Sequence, residues 1–199
     1  MDSACLNCHH DHIDAPLGLD PVLLAAPEAT GETWAQLQLD GLLTSSSTNH
    51  TLPASSFQIP GNATERTALG YLHTTCALAC HRPDGIAPFS MKLEVGGGAA
   101  PASVSQTAAF QIINAPASHV LASPPYAAGS ANYYRIRPGD PSRSMVHLRQ
   151  AVRDAPPFAD GNDQMPPTLT HLVDAAGLAA IDAWINSMTS APYPAPAAP

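Results

Sequence analysis

The sequence predicts a mostly α-helical protein with long irregular loops, organised as one larger helical domain and a small N-terminal segment. Three observations predict this. Apolar side chains recur at helical spacing in several short stretches. The 21 prolines and 13 glycines favour loops over long helices. The four cysteines fall into two pairs, and a histidine follows each pair at once.

The cysteine pairs have the pattern that attaches haem to a polypeptide. The two thiols add to the haem vinyl groups as thioethers, and the adjacent histidine then places a ring nitrogen on the iron. The first motif has the usual gap of two residues, and the second has the less common gap of three. The sequence therefore predicts two covalently attached haem c groups. The six motif residues are Cys5, Cys8, His9, Cys76, Cys80 and His81.

Two other uses of the four cysteines compete with haem attachment. They could form two disulfides, or a zinc site built from two knuckles that resemble Cys-x-x-Cys. Neither alternative needs a histidine directly after the second cysteine of both pairs.

The N-terminal part, residues 1–61, is predicted to be a haem-binding segment and a connector. A helix is expected to open at Thr30 or Gly31 and to stop at Gly41. Residues 44–61 are rich in Ser, Thr and Pro, which is typical of a connector.

The larger domain, residues 62–190, begins with a clear helix signal. Asn62 followed by Glu65 has the spacing of a capping box. Leu69 and Leu72 continue one apolar face. The helix is therefore expected to run straight into the second cysteine motif.

A loop, a strand and a helix are expected next. Residues 93–132 are rich in Gly, Ala, Ser and Pro, with one short element near residues 108–113. Residues 133–136 are predicted to form a short strand. Asp140 and Pro141 have the residue types of a helix cap and first turn, and an amphipathic helix should follow.

The last helix and the tail complete the chain. Asp174 is expected to cap a helix that ends near Met188. The tail, residues 191–199, is rich in Pro and Ala and should be extended. We expect it to be ordered only if it lies on something, such as another copy of the chain.

Methionine is one source of a second axial iron ligand. Met165 is the candidate because Pro166 and Pro167 stiffen the backbone behind it. A methionine opposite a histidine raises the reduction potential of the iron. Met145 and Met188 lie on helical apolar faces and are assigned to the core.

Residues 62–188 resemble a cytochrome c domain. With residues 5–42 included, the whole chain resembles a family of bacterial dihaem c-type cytochromes. The resemblance implies a cytochrome c-like haem domain, with His81 and Met165 on one iron and His9 on the other. Besides the haem motif, it is carried by Tyr71-Leu72-His73, Pro138-Gly139-Asp140-Pro141-Ser142, Met165-Pro166-Pro167 and Ala183-Trp184-Ile185.

The chain departs from the family pattern in two places. The second motif has one extra residue between its cysteines, and no helix precedes the first motif because Cys5 is almost terminal. The sixth ligand of the first haem therefore stays open. His50 and His10 are the favoured candidates, His10 for the haem of a neighbouring copy. The other candidates are His12, His73, His119, His147 and His171.

Charge and hydropathy limit the partners. The formal net charge is −8, which argues against nucleic acid. An acidic surface suits redox partner proteins with basic faces. No stretch approaches the ~18 apolar residues of a membrane span. Because haem is attached outside the bacterial cytoplasm, we expect a periplasmic or extracellular protein whose leader has been removed from the numbering.

Electron transfer without substrate chemistry is the function that these observations favour. A sharper version makes the chain the repeating subunit of an extracellular conductive cytochrome filament, with other copies or other haem proteins as partners. A dihaem cytochrome c peroxidase-like enzyme, with one open iron site, is the first alternative. A zinc-stabilised binding module is the second.

Overall fold

Helices joined by long loops are the regular elements of the structure, a computed structural model. It describes residues 20–24, 31–42, 57–83, 85–94, 100–118, 132–153, 163–167, 170 and 172–196. Within these ranges no strand is present, so the prediction of a mostly helical chain with long loops is confirmed. The α-helices are α1 (Pro21–Leu24), α2 (Trp34–Leu39), α3 (Ala63–Leu72), α4 (Met145–Ala151) and α5 (Ala175–Ser187). Shorter helical turns are the π-turn His73–Ala77 and the 3-10 turns Val104–Gln106, Phe110–Ile112 and Pro141–Arg143.

Side-chain caps fix where three of the helices begin. The Asn62 side chain accepts the Glu65 amide at 3.1 Å, and the Glu65 carboxylate accepts the Asn62 amide at 2.6 Å, so the predicted capping box of α3 is confirmed. Asp174 caps α5 as predicted. The helix expected from residue 30 or 31 begins later, at Trp34, because Thr33 supplies its cap.

Two elements predicted after the second motif, a strand and a helix, differ in the structure. The strand predicted at residues 133–136 is wrong: Tyr134 and Ile136 each make only isolated bridges. The helix predicted after Asp140 is divided into the 3-10 turn and α4. The division occurs at Ser144, whose hydroxyl donates to the Asp140 carbonyl at 2.8 Å.

Helices α3 and α5 pack directly against each other and form the centre of the core. They approach closely at Gly177, where any side chain would overlap with the ring of Tyr71. Ile181, Trp184 and Ile185 of α5 are fully buried behind this contact. Part of the N-terminal region shares the same core through Val22, Trp34 and Phe57.

The part of the tail that the structure describes, residues 191–196, lies on the chain's own larger domain. The Trp184 indole donates to the Tyr193 hydroxyl at 2.8 Å, and that hydroxyl donates to the Glu65 carboxylate at 2.6 Å. Asn114 donates to the Ala195 carbonyl at 2.7 Å. The order of this segment therefore needs no second copy of the chain.

No helix in the described ranges has both the length and the apolar character needed to cross a membrane. The prediction that the chain has no membrane span agrees with this.

Replacing Gly177 with alanine should destabilise the fold by about 1–3 kcal/mol, because the added methyl group forces α3 and α5 apart. Gly70→Ala is the matched control. That glycine is also helical, but a methyl group there meets only the flexible tip of Ile59 at 3.2 Å. Alanine favours a helix over glycine by about 1 kcal/mol, so the free energy of unfolding of Gly70→Ala should be unchanged or slightly higher. Urea unfolding of both variants measures the difference, and equal midpoints would contradict the close crossing.

Candidate functional site: the second cysteine–histidine motif

Helix α3 continues into the second motif through a change in helical type. After Leu72 the chain forms a π-turn, in which the Leu78 amide donates to the His73 carbonyl at 3.0 Å. The His81 amide donates to the Cys76 carbonyl at 2.9 Å, again across five residues. A single turn therefore presents both cysteines and the histidine.

This π spacing accommodates the extra residue of the motif. With the usual gap, the first cysteine and the histidine are four residues apart, which is the spacing of an α-helical hydrogen bond. Here Cys76 and His81 are five residues apart, which is the spacing of a π-type bond. The backbone contact between them is kept, so the longer gap still brings the two cysteines and the histidine together.

Both cysteines of the motif, Cys76 and Cys80, are half-buried thiols and are not joined by a disulfide. Burial raises the pKa of the Cys76 thiol from 9.0 to about 12, and the neighbouring Cys80 adds to the rise. Metal ligation would need the thiolate form of this sulfur, and a bound cation would itself lower the pKa of the thiol. Without a bound cation, Cys76 is therefore a neutral thiol.

The ring of His81 is held in the tautomer that can bind a metal. Its Nδ1 lies 3.3 Å from the Phe89 carbonyl oxygen. Since a carbonyl only accepts, Nδ1 carries the hydrogen and Nε2 keeps its lone pair. Burial lowers the pKa of His81, and the charges of Arg135 and Arg149 lower it further, against the opposing effect of the Phe89 carbonyl. At neutral pH the imidazole is therefore neutral, with Nε2 available as a ligand.

Positive charge lies beside this histidine. The Arg135 guanidinium sits 4.3 Å from the centre of the Phe89 ring, which itself lies 4.6 Å from the His81 ring. The Arg135 Nε is buried and has no hydrogen-bond partner. A buried donor without a partner is costly, and an anionic carboxylate would satisfy it. The propionate groups of haem have this chemistry, so the site fits the group that the sequence predicts.

Met165 differs from the other methionines in the described ranges. Met91, Met145 and Met188 are buried in the apolar core, as expected for Met145 and Met188. Met165 is only half-buried, and its amide donates to the Arg149 carbonyl at 2.8 Å. This bond attaches the Met165 segment to α4, the helix whose Arg149 charge lowers the pKa of His81.

Gln164 holds the Met165 segment in place. Its side chain is almost fully buried and donates to the carbonyls of Pro166 and Thr170, at 3.1 and 3.4 Å. Residue spacing did not predict the roles of Gln164, Phe89 and Arg135, because each role comes from contacts that form only in the folded chain. For Gln164, the local signal in the sequence is its position directly before Met165 and Pro166.

Two candidate histidines have other partners. His73 is fully buried with both ring nitrogens hydrogen-bonded, so it is not an iron ligand. The Nδ1 of His147 lies 2.5 Å from Asp182. The remaining candidates and the first motif lie outside the described residues: Cys5, Cys8, His9, His10, His12, His50, His119 and His171.

In the ranges that the structure describes, no three His, Cys, Asp or Glu side chains converge as a metal-binding cluster. The second motif thus offers one imidazole and two thiols on a turn, rather than a closed set of ligands.

In comparisons with known proteins, no family model, curated protein or solved structure matches this chain. The resemblance to c-type cytochromes therefore depends on the motifs and on the geometry around them.

Tyr71 should make the fold sensitive to alkali. Burial raises the pKa of Tyr71 from 10.0 to about 12, and the charge of Asp174 adds to it. The folded chain keeps this phenol proton to a higher pH than the unfolded chain. This contribution to stability is therefore complete below pH 10 and is lost as the pH rises towards 12.

Denaturant unfolding of the wild type and of Tyr71→Phe, between pH 8 and pH 12, tests this expectation. The variant should lose less stability above pH 10. Parallel pH profiles would show that Tyr71 does not hold its proton in the fold.

Proposed function

We propose that the chain is a dihaem c-type cytochrome that transfers electrons outside the cytoplasm. The observation that carries this proposal is the state of His81. Its Nδ1 hydrogen is directed to the Phe89 carbonyl and its Nε2 lone pair is available, on the turn that presents the Cys76 and Cys80 thiols. An axial histidine in a metalloprotein commonly donates its other ring nitrogen to a backbone carbonyl in this way.

The residues of the second motif divide the task of holding a haem. Cys76 and Cys80 would supply the thioethers, and His81 would supply one axial nitrogen. Arg135, with its buried Nε in need of an acceptor, would bind a propionate. When bound, haem supplies a one-electron redox change, and the chain supplies the position and surroundings of the iron.

Met165 is the proposed second axial ligand of this haem. Its segment is fixed from both sides, by the Arg149 carbonyl at the Met165 amide and by the buried Gln164 side chain. A rigid loop favours a weak thioether ligand, because little chain entropy is lost when the sulfur binds. Histidine–methionine ligation would place this haem at a higher potential than a bis-histidine haem.

The first motif is proposed to hold the other haem. His9 would bind its iron, and His50 and His10 are the candidates for the remaining ligand. Attachment at both motifs implies a periplasmic or extracellular location. The net charge of −8 favours redox partners with basic faces. The filament form of this function stays a prediction, and the described part of the tail gives it no support.

The absorption spectrum of the protein, produced with a bacterial haem-attachment system, tests the proposed function. Electron transfer by two ligated haems predicts a six-coordinate low-spin spectrum. A five-coordinate high-spin fraction would indicate the peroxidase-like alternative. The absence of any haem band would contradict the proposal and leave the zinc module.

Replacing Met165 with alanine should lower the midpoint potential of one haem and leave the other unchanged, since the sulfur ligand of one iron is lost. Met165→His should keep that iron six-coordinate, again at a lower potential. Met145→Leu is the matched control, because Met145 is buried in the core and should not affect either potential. Spectroelectrochemical titration measures all three variants. Unchanged potentials in Met165→Ala would rule out this residue as a ligand.

A further inference from the structure

A short segment, residues 89–93, runs along the turn that carries the second motif, and we call it the strap. The Phe89 carbonyl meets the Nδ1 of His81 at 3.3 Å, and the Met91 amide donates to the His81 carbonyl at 2.8 Å. The orientation of the His81 ring therefore depends on where the strap lies.

The far end of the strap is held by a second histidine. The Leu93 amide donates to the Nδ1 of His73 at 3.1 Å, and both residues are buried. Because Nδ1 accepts this bond, the ring hydrogen must be on Nε2. That nitrogen lies 2.9 Å from the Asp20 carboxylate, which accepts the hydrogen.

Asp20 thus selects the tautomer of His73 that can hold the strap. Its carboxylate also accepts the Val22 amide at 2.8 Å, so it is fixed at the start of α1. Without the acceptor at Asp20, the hydrogen of the buried imidazole has no partner at Nε2 and can move to Nδ1. Nδ1 would then be unable to accept the Leu93 amide.

We propose that Asp20 and His73 are a positioning pair for His81. They act through the strap, whose Phe89 carbonyl orients the imidazole. This inference rests on the proposed function, since the atom that is positioned is the one proposed to bind iron. It also means that a residue of the N-terminal segment controls the second haem site, although Asp20 and His81 are 61 positions apart in the sequence.

Asp20→Ser is the test variant. A serine hydroxyl can still cap α1 through the Val22 amide, but it is too short to reach His73. In the full-length protein with its haems, hydrogen exchange at the Leu93 amide should become at least about tenfold faster. The midpoint potential of one haem and the imidazole NMR signals of His81 should shift with it.

Two further variants serve as controls. Asp20→Asn keeps an oxygen that accepts from both His73 and Val22, so it should restore the exchange rate, the potential and the His81 signals. Asp182→Ser removes a similar carboxylate from His147, in a contact that joins α4 to α5 rather than the strap. It should leave hydrogen exchange at the Leu93 amide at its wild-type rate.

The proposal is overturned if Asp20→Ser leaves the His81 signals unchanged, even if Leu93 exchanges faster, because the pair would then only stabilise the fold. It is also overturned if Asp20→Asn shifts the signals as much as Asp20→Ser does. A protein that carries no haem would contradict the proposed function alone. The His81 signals would still decide whether the pair positions this imidazole.

Discussion

The hydrogen bond from the His81 amide to the Cys76 carbonyl is the constraint on which the site depends. It spans five residues and closes a π-type turn, so a motif with three residues between its cysteines still places two thiols and an imidazole on one turn. A π-turn is less favourable than an α-helical turn and is often found at functional sites. Here it continues α3, whose capping box and buried face fix the direction in which the turn leaves the core.

The core holds α3 from the opposite side. Gly177 lets α5 approach the ring of Tyr71, and Trp184 is linked through Tyr193 to Glu65 in the first turn of α3. The described part of the tail is therefore linked to the same helix that leads into the second motif. The strap then connects the turn to His73, so that the orientation of one imidazole depends on contacts that extend to Asp20. These contacts limit the movement of His81, which suits a centre that exchanges electrons without changing its ligands.

Local signals allowed much of the larger domain to be predicted from the sequence. Asn62 with Glu65 and Asp174 cap their helices as expected, because a capping side chain acts within its own first turn. The burial of Met145 and Met188 followed from helical periodicity. The strand predicted at residues 133–136 failed because Tyr134 and Ile136 make single bridges to two separate segments, one at Ile113 and Pro116 and the other at Ser144, rather than pairing with one continuous strand. The roles of Phe89, Arg135 and His73 depend on partners distant in sequence, so no spacing could show them. The N-terminal motif lies outside the described residues, and its haem is still inferred from the sequence.

The mass of the denatured chain is the most direct test of covalent haem at both motifs. Protein made in a bacterium with haem-attachment machinery should carry the added mass of two haems after unfolding and acid extraction. Replacing Cys76 and Cys80 together with alanine should remove one of them, and replacing Cys5 and Cys8 should remove the other. A wild-type chain with the mass of bare polypeptide would contradict the account.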